Sequence, residues 1–345
     1  MLAKIHNNLK KYMILYVIVS IGLGWLLGYQ YGHAVKHYQP TLKTLISVAV
    51  FLMIYPMMVN IRMSALVKAL KNWKGLGLVL TYNFVWAPLF GYAMGRIFLH
   101  DPQLGFGFFM AMVVPCSSMS IGYTGLSEGN LELATVSVVT SFIVAIAAIP
   151  FWAKLLGGSF NVPVPMGLLL HTIIVVLILP MILGYLTRIA LLRWLKEENF
   201  KKIVPLFASL TLIGMYMIVF LIFLMKANVL IKKWQLVALL FIPSTAFYLV
   251  TLALVTGISK LLGFSYEDHM GMVFASTGKN EGTAIAIATS AFSPLVAVPA
   301  AMMPIFQIVF LVGYLKLEGQ VRRLFGAKPI EAEGTVPHAK EVRSV

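Results

Sequence analysis

Apolar residues arrive in this chain in ten runs, each close to the ~20 residues that a helix needs to cross a bilayer. They fall at about 12–31, 42–60, 76–98, 104–124, 131–156, 165–187, 203–225, 234–259, 269–292 and 295–317. Within hydrocarbon every backbone N–H and C=O must be bonded inside the protein, so runs of this length are expected to be helices. The segments between them are short, and no soluble domain is inserted. Only 11% of the 345 residues are charged, against about 25% in soluble domains. The expected fold class is an all-α polytopic membrane protein, its partner the lipid bilayer.

The formal net charge is +15. Lys and Arg sit in short clusters between the apolar runs, and no basic, aromatic-interleaved stretch of the kind that binds single strands is present. No nucleic-acid partner is expected. With the N-terminus inside, 19 of the 27 basic residues fall on the side of the termini. Seven fall on the other: Lys36, Lys43, Arg96, Lys154, Lys226, Lys232 and Lys233. The remaining one, Lys279, lies within a run. This asymmetry predicts both termini in the cytoplasm and a multi-pass protein of the cell membrane. Residues 1–12 are basic, but the run after them is long enough to span and lacks an A-x-A-like end, so no cleavable signal is expected. Trp73, Trp234, Tyr31 and Tyr38 read as interfacial anchors, and the 19 Met residues as packing.

Two apolar runs carry polar interruptions. In the ninth, Lys279-Asn280-Glu281 is framed by Gly278 and Gly282. A charge at that depth costs roughly 2.5–3.5 kcal/mol on insertion scales. Such a feature persists where it lines a pathway or binds something. Glu281 is the one acid well inside a run. Low dielectric disfavours the charged form of a carboxyl group unless it is paired, a property suited to proton coupling. Lys279 is two residues away and would face elsewhere on a regular helix. It reads as a substrate ligand, a tethered cation in place of a coupling ion, or the structural partner of Glu281. In the fourth run, Pro115-Cys116-Ser117-Ser118 forms the other break. Pro115 removes a backbone donor and disfavours helix just before it. Ser117, Ser118 and Ser120 can satisfy freed backbone groups. Cys116 is either a small buried hydrophobe, as most free cysteines are, or a thiol facing a ligand; its place beside the proline favours the second. Asn83 and Pro88 in the third run, and Tyr55-Pro56 in the second, are weaker signals of polar contact or kinking.

The single cysteine excludes an internal disulfide framework and a multi-thiolate metal cage within one chain. No Walker A, HExxH or GxSxG has a credible context. A transporter is expected rather than an enzyme, with no cofactor.

Faint internal symmetry joins the two breaks. Residues 133–146, LATVSVVTSFIVAI, pair tolerably with 295–308, LVAVPAAMMPIFQI. The same offset of 162 residues lays Pro115–Met119 over Thr277–Glu281. Five spans per half is odd, so the second half must be inverted, and interrupted helices at matching places are the usual pointer to a transporter's binding site. The expected organisation is ten transmembrane helices in two inverted five-helix repeats, 1–156 and 165–317, with helices 4 and 9 broken and crossing. A disordered cytoplasmic tail is expected over 319–345.

At these residues the chain resembles the Acr3 family of arsenite efflux permeases, in the superfamily that also holds the bile acid:sodium symporters and riboflavin transporters. The resemblance runs through nearly all ten spans. It includes FLMIYPMMVNIR at 51–62, the Asn83…Pro88 spacing, VVPCSSM at 113–119, LPMILGYLTR at 179–188 and EGTAIAIATSAF at 281–292. It implies a cysteine after proline in the fourth span, matched by Cys116, and a glutamate in the ninth, matched by Glu281. It further implies export of trivalent arsenite, with antimonite as a second candidate, in exchange for protons. The family usually has an Asn-Asn-Phe-Glu-like stretch where this chain has Gly278-Lys279-Asn280-Glu281. Ala87 often aligns with a lysine, so a basic charge is inferred to have moved from the third span to the ninth. GKNEG also resembles the GMQN stretch of the sodium symporters, but their upstream glutamate is here Ser276, which argues against sodium coupling.

The expected substrate contacts are therefore Cys116, as the arsenic ligand, with Ser117, Ser118, Asn280 and Glu281. Glu281 and Lys279 would couple protons. Pro115, Gly278 and Gly282 would break the helices, with Asn83 and Pro88 in support. An organic-anion, bile-acid-like symporter with altered cation coupling is the rival carrier. A membrane sensor is the rival of another class, disfavoured by the short loops.

Overall fold

A computed structural model describes residues 2–60, 72–232 and 234–327. Every named element among them is helical. The order is α1 (Leu2–Lys11), α2 (Met13–Gln30), α3 (Gly32–His37), α4 (Gln39–Asn60), α5 (Trp73–Thr81), a π-turn at Tyr82–Trp86, and α6 (Ala87–Phe98). Next come α7 (Pro102–Val113), α8 (Met119–Leu126), α9 (Leu131–Leu156), α10 (Met166–Ile173), a π-turn at Ile174–Ile178, and α11 (Leu179–Lys232). The chain ends with α12 (Trp234–Leu239), α13 (Phe241–Leu261), α14 (Tyr266–Thr277), α15 (Glu281–Ala291), α16 (Val298–Lys316) and α17 (Glu318–Phe325).

Seven stretches among the described residues are helical, long and apolar enough to cross a membrane: 13–30, 39–60, 73–98, 131–160, 166–228, 241–261 and 298–316. The 63-residue stretch 166–228 is divided at Lys196, whose φ of 57° and ψ of 166° leave the helical region. The runs at 104–124 and 269–292 are interrupted, forming the pairs α7/α8 and α14/α15.

Short polar residues start several helices by accepting from exposed backbone N–H groups. Asp101 Oδ1 caps α7 through Gln103 N at 3.0 Å, followed by Pro102 in the first turn. Ser265 caps α14, Asn130 caps α9, and Asn280 caps α15 through Thr283 N at 2.9 Å.

Helices α1, α2 and α4 pack on α11. Gly28 of α2 lies against the Leu224 carbonyl of α11, and a Cβ on Gly214 of α11 would stand 2.8 Å from Met53 N of α4. Without a hydrophobic drive between helices in lipid, such small-residue contacts let backbones approach and gain dispersion energy. The remaining long helices surround the two breaks, and α15 touches α4. The α11 layer draws on both sequence halves, 1–156 and 165–317, so the packing layers cut across them.

The tail differs from expectation. Residues 318–325 form α17 rather than the start of a disordered end. Arg322 is buried, its Nη2 donating to Glu128 Oε2 at 2.7 Å and Glu318 Oε1 at 2.8 Å, with its guanidinium 4.3 Å from the Tyr266 ring centre. The polar composition that reads as disorder is that of an amphipathic helix with a clamped cation. The positive clusters at Arg62, Lys68 and Lys71, Lys233, and residues 328–345 lie outside the described residues.

Candidate functional site

The two breaks meet. Val114 is extended, with φ −72° and ψ 159°, as the residue before a proline prefers. Cys116 and Lys279 form an isolated antiparallel bridge. Asn280 N donates to Pro115 O at 2.9 Å, and Ser117 N donates to Gly278 O at 2.9 Å. Each interrupted helix thus supplies the backbone partners that the other has lost, which hydrocarbon cannot provide.

Side chains from neighbouring helices complete the set. Cys116 N donates to Ser141 Oγ of α9 at 3.3 Å, and Lys279 N donates to Gln307 Oε1 of α16 at 2.6 Å. Ser141 Oγ also lies 3.1 Å from Cys116 Sγ while giving its own proton to Val138 O at 2.8 Å. A hydroxyl has one proton, so in that contact the thiol is the donor. Gln307 Nε2 donates to Glu281 Oε2 at 3.2 Å; Glu281 Oε1 is buried and makes no hydrogen bond among the described residues.

Lys279 is completely buried. Its Nζ donates to Asn83 Oδ1 at 2.9 Å and to Asn83 O at 3.2 Å. Asn83 donates in turn to Val79 O and, across helices, to Ala275 O at 2.9 Å. The carbonyl of Asn83 lies in the π-turn, where the Ala87 N–H reaches back to Tyr82 O. Among the described residues Lys279 and Glu281 form no ion pair; Gln307 stands between them, bonded to the backbone of one and the carboxyl of the other. Pro88 sits in the first turn of α6, just after the π-turn, and has no direct part in the crossing.

The other expected residues divide. Asn280 caps α15 and points its Nδ2 at Met57 Sδ, 3.4 Å away. Ser117 Oγ accepts from Met119 N at 3.3 Å. Ser118 precedes α8 and lines a cavity of about 190 Å³ with Met57, Lys10 and Asn60. Gly278 is at the break, where a Cβ would stand 2.7 Å from Ser120 Oγ. Gly282 is not a breaker: it lies in the first turn of α15, against the Met53 side chain, because the Asn280 cap restarts the helix before it. Cys116 and Glu281 do not line this cavity; both are buried in the crossing.

Ser141, Gln307 and Met57 escaped sequence reasoning. Gln307 was visible as a lone amide in the tenth apolar run, the same kind of signal as Glu281. Ser141 stands among Ser137 and Thr140 in the fifth, and nothing in sequence singles it out.

Residues 47–233 match the model of the Sodium Bile acid symporter family, more than half of the chain. The chain is 23% identical over 323 residues to "Arsenical-resistance protein Acr3" of Alkaliphilus metalliredigens (strain QYMF), covering 90% of each. It is 23% identical over 326 residues to the protein of the same name from Corynebacterium glutamicum, covering 88% of this chain and 87% of that one. Over 133 residues it is 32% identical to "Probable sodium/metabolite cotransporter BASS4, chloroplastic" of Arabidopsis thaliana, 37% of this chain and 30% of that one. With a buried polar crossing between two interrupted apolar helices, this chain is a multi-pass membrane transporter, not an enzyme, and belongs to the Sodium Bile acid symporter family.

Proposed function

We propose that the chain exports trivalent arsenite, with antimonite as a second cargo, in exchange for protons across the plasma membrane, its termini in the cytoplasm. The observation that carries this reading is the position of its one thiol: Cys116 sits where the two breaks cross, protonated toward Ser141 and on the same bridge as Lys279. Arsenous acid would load by forming one As–S bond and losing one hydroxide, which takes the thiol proton and leaves as water. Ser117, Ser118 and Asn280 supply oxygen or amide contacts. Glu281, with one carboxyl oxygen unpartnered, carries the proton, and the nearby cation Lys279 biases its charge. Loading requires movement, since the thiol is fully buried. Met57 lines the cavity at Ser118 and contacts Asn280, so its flexible side chain is the natural gate between cavity and crossing.

The proposed architecture is ten crossings in two inverted repeats. Division of 166–228 at Lys196 and counting of the two broken helices bring seven stretches to ten. The bridge pairs residues 163 apart, one from the sequence offset, and each bridging N–H is served by a side chain from the next long helix, α9 or α16. The inferred relocation of charge from Ala87 is supported too, since Lys279 Nζ reaches Asn83, one turn before Ala87.

Arsenite uptake into inverted vesicles tests the cargo. Saturable uptake that Cys116→Ala removes is expected; undiminished flux in the variant would sink the thiol role. No arsenite flux at all, with flux of a bile-acid-like anion, would favour the rival symporter. That rival needs Lys279 as a substrate ligand, and its Nζ is committed to Asn83.

A further inference from the structure

A second cavity, about 610 Å³, opens at the other end of the molecule. Lys43 and Ser47 near the start of α4 line it, whereas Met57 and Asn60 near the end of α4 line the smaller cavity. The 14 residues from Lys43 to Met57 span about 21 Å of helix. The two openings therefore lie on opposite sides of the crossing.

The larger cavity lies between two pairs of helices. Lys43 of α4 and Lys226 of α11 face His171 and Thr172 of α10 and Ser290 of α15. Among the described residues, none that lines it is acidic. On these elements the acid nearest along the chain is Glu281, nine residues before Ser290, about 13 Å of helix. The two lysines are close enough to repel each other. Neither forms an ion pair among the described residues. Two like charges held across a concave, low-dielectric wall focus a positive potential into it. Such a potential would oppose sodium at this mouth, leave neutral arsenous acid unaffected and attract a multivalent anion.

We propose that this cavity binds a doubly charged tetrahedral oxyanion of the phosphate class, bridging Lys43 and Lys226 on one side and His171, Thr172 and Ser290 on the other. Because the site joins two pairs of helices, its occupancy holds that mouth in one arrangement. The anion can be free in solution or the monoester headgroup of a phosphatidic-acid-type lipid, and the chemistry of recognition is the same.

The test uses full-length protein in nanodiscs of zwitterionic phosphatidylcholine and labelled inorganic phosphate in equilibrium dialysis. Saturable binding is expected, weakened about tenfold or more in each of Lys43→Gln and Lys226→Gln. Lys260→Gln, at the opposite side, should bind as the parent does. Unchanged unfolding midpoints in chloride show that the variants are folded. Absence of saturable binding, or binding that ignores both substitutions, overturns the proposal. Nanodiscs containing phosphatidic acid, a phosphomonoester, then separate the sources. Loss of phosphate binding there assigns the site to a lipid headgroup, and persistence assigns it to an aqueous oxyanion. Arsenite flux is not read, so the outcome is independent of the cargo assigned to Cys116.

Discussion

The two breaks solve the same backbone problem with different chemistry. The first uses a proline and small polar side chains; the second uses a glycine and an ionisable pair. Each exchanges one N–H for the other's carbonyl, and each leaves a central N–H to a side chain of another helix. The supports differ in strength. Ser141 holds a neutral thiol and an amide, whereas Gln307 holds an amide and a carboxyl group. Under the proposed function the first break would bind and release the soft cargo, and the second would hold charge at depth.

Glu281→Gln should have the largest effect. It keeps the shape and a contact for Gln307 but removes the exchangeable proton, so arsenite accumulation driven by a pH gradient should fall to the level of empty vesicles. Retained coupling would mean that the second break does not carry the proton. Lys279→Met comes next. Arsenite equilibration down its own gradient should persist, while pH-driven accumulation drops severalfold; unaltered accumulation would reduce Lys279 to a structural peg for Asn83.

Gln307→Ala should cost about 2–6 kcal/mol in reversible unfolding in detergent, since two buried groups lose partners worth about 1–3 kcal/mol each. Ser141→Ala should cost about 1–2 kcal/mol, because a thiol is a weak hydrogen-bonding group. Equal costs would erase the proposed difference between the breaks. Smallest is the difference within the glycine pair. Gly278→Ala forces a Cβ onto Ser120 Oγ and the Phe274 carbonyl, for about 1–3 kcal/mol, while at Gly282 the flexible Met53 can yield, for less. Thermal midpoints of the two variants should keep that order, and a reversal would put the tight approach in α15 instead of at the crossing.

Much of this site was legible because a polar residue in an apolar run is costly and therefore informative. That reasoning located Cys116, Lys279, Asn280 and Glu281, and Pro115 and Gly278 as the points of interruption. It failed where a residue type was ambiguous. Gly282 looked like half of a glycine frame, yet the Asn280 cap puts it inside a helix. Residues 319–325 looked disordered because a polar segment and an amphipathic helix share a composition; the clamp on Arg322 was not visible in either.

By itself the sequence determined the class of molecule: runs of that length and apolarity must be helices in a bilayer, and their interruptions must be paired with something. Only the tertiary structure decided with what. Glu281 and Lys279, two residues apart, do not pair; they turn to Gln307 and Asn83, distant in sequence, because the unwound segment sends neighbouring side chains to different helices. Cys116 and Lys279, far apart along the chain, become neighbours because two broken helices can satisfy their backbones only in each other's company.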